Sequence, residues 1–337
     1  MKTLIRLVII LFIIGTVLTM VAFANGVKID GITEFITDDE SYGTALVFES
    51  ETSLDKLDID LDTRNIEISV TTEDHIVVTY HEQERDTWIL NELNGTLSVK
   101  QTVETSFFNW FNFKIASYEV RTVYIEIPAS WVLEYSLVSN TGNIKYIEGP
   151  TTATDLSVDS NTGNLTLKNV NMDSLLVRMD TGNVLLEDLE ILGNLDAESD
   201  TGNITLNDVI SLQALLETET GNITMTNLTA TLLSADTATD NIALINSAIS
   251  GAVTLSTNTG NITVTDSTGT GFDLTSDTGN IRYTSTTSVD LRYDLRTTTG
   301  KVLVNGDDQG SKHSTSTGTI LLKAKTTTGN ITINVQD

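Results

Sequence analysis

The sequence predicts an all-β protein. It is a parallel β-solenoid (β-helix) of about eleven coils of about 20 residues, with an irregular β cap region before it and one N-terminal transmembrane helix. Three observations predict this. A Thr-Gly-Asn triplet recurs through the last two thirds of the chain at a spacing near 20 residues. Apolar residues alternate on both sides of each triplet, as strands with one buried face require. Val, Ile and Thr are abundant, whereas Pro occurs only twice, as suits strands.

The elements follow in chain order. Lys2 and Arg6 precede an uncharged run of eighteen residues from Leu7 to Ala24. At 1.5 Å per residue such a run reaches about 27 Å, enough to cross a bilayer core. Residues 1–24 therefore read as a membrane anchor, with the basic flank inside and the rest of the chain outside. The competing reading is a signal peptide cleaved after Ala24, because "AFA" at 22–24 has the A-x-A pattern. Both place the mature protein outside the cytoplasm. Residues 25–50 read as a spacer or irregular lead-in.

Residues 51–130 lack the period and read as an irregular β cap region, since a solenoid leaves an open apolar end to be covered. Within it, "DTRNIEI" at 62–68 looks like a degenerate corner with Arg64 in the Gly slot. "FFNWFNF" at 107–113 is the one dense aromatic cluster. It either plugs the core end or forms an exposed contact patch of Phe107, Phe108, Trp110, Phe111 and Phe113.

Residues 131–337 carry the repeat. With each Gly as position zero, the corners are Gly142, Gly163, Gly182, Gly202, Gly221, Asp240, Gly260, Gly279, Gly300, Gly318 and Gly329. Their spacings are 21, 19, 20, 19, 19, 20, 19, 21, 18 and 11. Position −1 is always Thr, and position +1 is Asn in nine units: Asn143, Asn164, Asn183, Asn203, Asn222, Asn241, Asn261, Asn280 and Asn330. Positions +2 and +4 are large and apolar. In a meander of hairpins, equivalent positions lie two strands apart and nothing selects identical residues. In a solenoid they lie about 4.8 Å apart, so asparagine amides can form a ladder. The columns favour the solenoid, with right-handed winding expected from the general preference of parallel crossovers. Gly at the corner supplies a positive φ, which Asp also tolerates. The triplet is then a corner and not a catalytic motif.

An anchor, an irregular β region, a strand ending in Pro ("VYIEIP", 123–128), then "LEYSLVSNTGNIKY" (133–146) and serial "S-x-TGNI-x-L" units resemble a bacterial family of exported proteins known as putative adhesins. That family is of unknown function and is sometimes linked to cell-envelope stress. The resemblance spans about residues 50–337 and implies a β-helix-like repeat domain. It implies no catalytic residues. The family's corner is closer to Ser-Gly-Asp, where this chain has Thr-Gly-Asn.

Charge narrows the function. Lys and Arg number 19 against 46 Asp and Glu, so the formal charge is 19 − 46 = −27, which excludes a nucleic-acid partner. With no Cys there is no thiolate nucleophile or disulfide. The leading reading is a non-enzymatic cell-surface or envelope-associated protein, for adhesion or as a binding scaffold, whose partners are the membrane and a surface protein or glycan. The alternative is a polysaccharide-active β-helix lyase or glycosidase, which would need paired carboxylates. Thr arrays at +3 suit ice binding, but Lys145, Leu185, Ala243, Arg282, Leu303 and Leu321 interrupt them. His313, at −5 from Gly318, reads as a core or cap histidine.

No cofactor is expected, with Ca²⁺ the one candidate. Positions −6, −4 and −2 point outward and bring together Asp180, Asp196, Glu198, Asp200, Glu217, Glu219 and Asp236, with Arg178 the base among them. Oxygen ligands at inter-strand spacing suit Ca²⁺ better than Zn²⁺. The plainer reading is a solvated acidic face. At the C-terminus the chain stops at "ITINVQD" without a capping helix, which predicts a free edge guarded by Lys323 and Lys325.

Overall fold

The computed structural model describes residues 39–51, 53–104, 116–149 and 153–336. These form 29 strands and one 3₁₀ turn, Asp39–Ser41. No helix among the described residues is long and apolar enough to cross a membrane. The anchor or signal segment, most of the lead-in and the aromatic cluster Phe107–Phe113 lie outside the described residues.

From Glu134 to Ser285 each level of the stack is a longer strand running into a Thr-Gly-Asn corner, Thr-Asp-Asn at Asp240, and a second strand leaving it. Successive levels pair in parallel and in register. Val177 lies opposite Ala197, Ala197 opposite Leu216, and Leu216 opposite Ala235. Beyond the corner, Leu186 lies opposite Leu206 and Leu206 opposite Met225. Like therefore stacks on like, and the inward positions join in one apolar core running from Leu54 to Ile333. A fully buried Leu or Ile contributes about 1.5–3 kcal/mol, so the unbroken apolar columns dominate the stability of the stack.

At both ends the order in space departs from the order in the chain. Near the N-terminus, Lys56–Leu61 lies between Thr96–Val103 and Glu134–Thr141, parallel to both. Asn65–Thr71 lies likewise between Thr122–Pro128 and Ile144–Ile147. Near the C-terminus, Ile320–Thr328 is inserted between Gly271–Thr278 and Leu291–Thr299. Ile331–Val335 is inserted between Ile281–Ser285 and Val302–Val304. The outermost levels are then covered by antiparallel strands. Asp86–Leu93 covers Thr96–Val103, and Val77–Tyr80 covers Thr122–Pro128. Lys312–Ser314 and Asp307–Asp308 cover the other end.

Two sequence expectations change with this splice. Gly318 is not a corner of the column: a Cβ there would meet the backbone of Leu291 and Arg292, not a corner glycine. That explains the spacing of 11. The strand carrying Lys323 and Lys325 is an interior strand, so these lysines guard no free edge; Lys323 Nζ instead bonds Asp273 Oδ2 at 2.7 Å. His313 lies on the antiparallel covering strand opposite Leu295, half-buried, with its ring 5.5 Å from that of Tyr293.

Candidate functional site

The repeated residues converge on one edge of the stack. The Asn164 backbone N–H donates to Asn143 Oδ1 at 2.9 Å, and its side-chain Nδ2 donates to the same oxygen at 3.3 Å. Asn183, Asn203, Asn222, Asn241, Asn261 and Asn280 repeat both bonds to the level before. Asn65 opens the column by accepting from the Asn143 N–H. Asn330 follows Asn280 in space, 50 residues along the chain, and the Lys301 N–H closes the column on Asn330 Oδ1. The asparagines are thus consumed in holding neighbouring levels together, each bond contributing about 0.5–1.5 kcal/mol.

Where glycine stands at the corner it leaves no room for a side chain, although Asp240 and Arg64 fill the slot at two other levels. A Cβ on Gly202, at φ +155°, would stand 1.9 Å from the Gly182 carbonyl oxygen. At position −3 a buried hydroxyl donates to the corner carbonyl of the neighbouring level at most levels, Ser160 and Met179 excepted. Thr218 Oγ1 reaches Gly202 O at 3.1 Å, and Thr237 Oγ1 reaches Gly221 O at 3.0 Å.

Sequence reading missed a second corner, six residues after the first. Asn169, Asp188, Asp208, Asn227, Asn246 and Asp266 all stand there at φ between 46° and 56°. Asn and Asp enter this left-handed region most readily among non-glycine residues. The signal was present as an Asn/Asp column at +6. Beside it, Ser247 Oγ accepts the Leu228 N–H and Ser267 Oγ accepts the Ser247 N–H, so serines replace the leucines and valines of earlier coils.

At the N-terminal end Arg64, in the corner slot, is buried and ion-paired with the fully buried Asp86. Asp86 also accepts from the Gln83 N–H, Trp88 Nε1 and Gln101 Nε2. The Arg64 guanidinium lies 4.8 Å from the Tyr42 ring centre. One level inward, Tyr146 donates to the Tyr135 hydroxyl at 3.0 Å within the core. Burial pushes the Tyr135 hydroxyl up to about 12 and raises Tyr146 as well. Both tyrosines are therefore neutral core groups at ordinary pH.

The carboxylates of the outward face run along it in columns and do not gather at one point. Glu198, Glu217 and Asp236 share one column in which Arg178 precedes Glu198 and Asp159 precedes Arg178, and Arg178 bonds Glu198 at 2.5 Å. Asp196 is followed in its column by Leu215 and Ser234. Among the described residues no group of three or more Asp, Glu or His side chains is placed to hold a metal ion. His75 and His81 lie in the N-terminal cap region and His313 near the C-terminal end; His75 meets Asp74 and Glu49, while His81 Nδ1 meets the Gly43 carbonyl.

A family model described as Toastrack DUF4097 matches residues 54–251 and again 190–337. No curated protein matches the chain. Nine chains of solved structures do. One, called a putative adhesin, from Bacteroides fragilis, is 16% identical over 87% of this chain and 98% of its own, with a TM-score of 0.38. A putative lipid binding protein from Parabacteroides distasonis is 15% identical over 88% and 98%, with a TM-score of 0.41. A putative adhesin from the same species is 13% identical over 86% and 97%, with a TM-score of 0.39.

Proposed function

Because this chain belongs to the Toastrack DUF4097 family, we propose that its levels form a rigid, non-enzymatic binding scaffold displayed outside the cytoplasm. In this reading residues 1–24 hold it to the membrane, or are removed on export. Residues 131–337, together with the first coil at 54–71, form the display surface, and the ligand is a surface protein or a glycan. One observation carries the reading. The repeated polar residues are consumed between levels, by the asparagine column and the −3 hydroxyls, while the outward positions vary from coil to coil. A scaffold needs this division between a constant interior and a variable surface. The strongly negative surface also suits a soluble, self-repelling outer protein.

The experiment is a glycan and cell-surface binding screen with residues 25–337, run beside an assay for polysaccharide cleavage. Saturable binding without turnover is the expected result. Turnover of any polysaccharide would replace this reading with a lyase or glycosidase.

A further inference from the structure

Large apolar side chains are mostly inside this protein, but five exposed ones gather at one place. Leu192, Ile210, Leu212, Leu215 and Leu232 are between 42% and 65% exposed. They belong to three adjacent levels. The Leu212 N–H bonds the Gly193 carbonyl, which seats Leu212 next to Leu192. Gln213 lies opposite Leu232, so Leu215, two residues on, is the diagonal neighbour of Leu232, and Leu212 directly precedes Gln213 at the turn. The cluster wraps the turn between the strand segment ending near Ser211 and the segment that carries Leu215. A contiguous apolar surface that folding leaves wet, rimmed by polar residues, marks an interaction site.

A groove of about 310 Å³ continues from this cluster, lined by Ser211, Thr229, Ala230, Ala248, Ile249 and Ser250. The Ser211 hydroxyl is buried and has no hydrogen-bond partner.

Charge identifies the occupant. Residues 153–270 contain two bases, Lys168 and Arg178, and sixteen acids, a net 2 − 16 = −14. Both bases are already ion-paired, with Glu187 and Glu198. Carboxylates border the leucines on each side: Glu190 lies opposite Ile210, Asp196 lies opposite Leu215, and Glu217 follows Leu215 on the same outward face. A second copy placing this surface against itself would oppose acid to acid. An anionic membrane would be repelled in the same way.

We propose that the leucine corner at residues 192–232, with the groove beside Ser211, docks a basic amphipathic segment of another protein. Its apolar side chains cover the leucines and its Lys or Arg side chains meet the acidic rim. The proposal deepens the scaffold reading by naming a surface and a partner chemistry. It rests on that reading only for its cellular setting, and a negative glycan screen would leave it standing.

The test uses the exported chain, residues 25–337, and an alternating Leu-Lys peptide as probe, followed by fluorescence anisotropy. Alternating Ser-Lys and Leu-Glu peptides serve as controls. Leu-Lys should bind at least about tenfold more tightly than either control, since both the apolar and the charged match are needed. Leu212→Ser with Leu232→Ser changes exposed residues and no charge; it should weaken Leu-Lys binding about tenfold with melting unchanged. Asp196→Asn with Glu217→Gln should weaken it more than Asp58→Asn with Asp277→Asn, which removes two charges elsewhere. Equal binding of Ser-Lys would reduce the effect to bulk charge and overturn the proposal. So would unchanged binding by the double-serine variant, or tighter capture of anionic vesicles than of the Leu-Lys peptide.

Discussion

The middle of the stack and its two ends solve one problem differently. Between Ala153 and Thr265 each coil lies on the coil that precedes it in sequence, so ladder partners on both sides come from adjacent repeats. At the ends, the first coil (54–71) and the last (320–335) do not lie outermost. Each is inserted one level in, and the outermost level is built from chain tethered on both sides. A terminal coil placed outermost would have ladder partners on one side and an open edge on the other. Inserted, it has partners on both sides. The outer edges are then blunted by antiparallel cover, very short at the C-terminal end, where the covering strands have three and two residues. The difference teaches that the repeat sequence specifies a level, while the connections specify where the level goes.

The largest expected effect breaks the splice itself. Ending the chain at Gly318 removes Leu322, Ile331 and Ile333 from the core and parts Leu291–Thr299 from Gly271–Thr278. Losing three fully buried aliphatic side chains costs on the order of 5–9 kcal/mol. The guanidinium midpoint should fall accordingly, and residues 291–304 should become sensitive to proteolysis. Were the last coil merely the outer end of the rod, truncation would shorten it and spare its neighbours. An unchanged midpoint with 291–304 still protected would therefore contradict the splice.

A smaller effect separates the end from the middle residue by residue. Asp86→Asn leaves the Arg64 guanidinium buried without its counter-charge, a loss of about 3–5 kcal/mol. Asn203→Ala, in the middle of the ladder, removes the acceptor of the Asn222 N–H and costs about 1–3 kcal/mol. Denaturant unfolding of the two variants should rank them in that order. The reverse order would mean that the ladder, and not the cap, is the more demanding structure.

The sequence revealed what the repeat constrains and little else. The Thr, Gly and Asn columns and the buried +2 and +4 positions were readable because each recurs at a fixed offset. Arg64 and Asn65 were recognisable as a degenerate corner by the same alignment. The splice was not readable, because the 11-residue spacing before Gly329 signals an irregularity without saying where the strand goes. Lys323 and Lys325 were misplaced for that reason: reading space from chain order puts them on an edge. Asp86 carries no period, so its pairing with Arg64 across 22 residues left no trace. The leucine corner was half visible. Leu215 falls at −6, an outward position by strand parity, but the turn that gathers Leu192, Leu212 and Leu232 beside it exists only once the levels stack.

The smallest expected effect concerns pH, and it again sets an end against the middle. His75 lies in the N-terminal cap between Ser50 and the strand Val77–Tyr80, with Nδ1 3.1 Å from Asp74 Oδ1 and Nε2 3.9 Å from Glu49. Its bond with the Asp74 carboxylate raises its pKa above the ordinary value of 6.5, outweighing some desolvation, and Glu49, Asp74 and Glu73 add attraction. A group whose folded pKa is raised stabilises the fold when protonated. Its contribution is therefore complete below the ordinary value and is lost as pH rises through the raised one. The cap should thus loosen slightly as pH climbs from the ordinary histidine value of 6.5 upward through the raised one, whereas the ladder of the middle, made of amides and hydroxyls, has nothing to titrate there. Hydrogen exchange at Ile76, whose N–H donates to Ser50 Oγ, reads the cap, and exchange at Asn203 reads the middle. After correction for intrinsic exchange rates, protection at Ile76 should decline modestly over that window, and His75→Gln should remove the decline. Protection at Asn203 should stay constant in both proteins. A decline of equal size at both positions, or one that survives His75→Gln, would show that His75 is not the group that titrates.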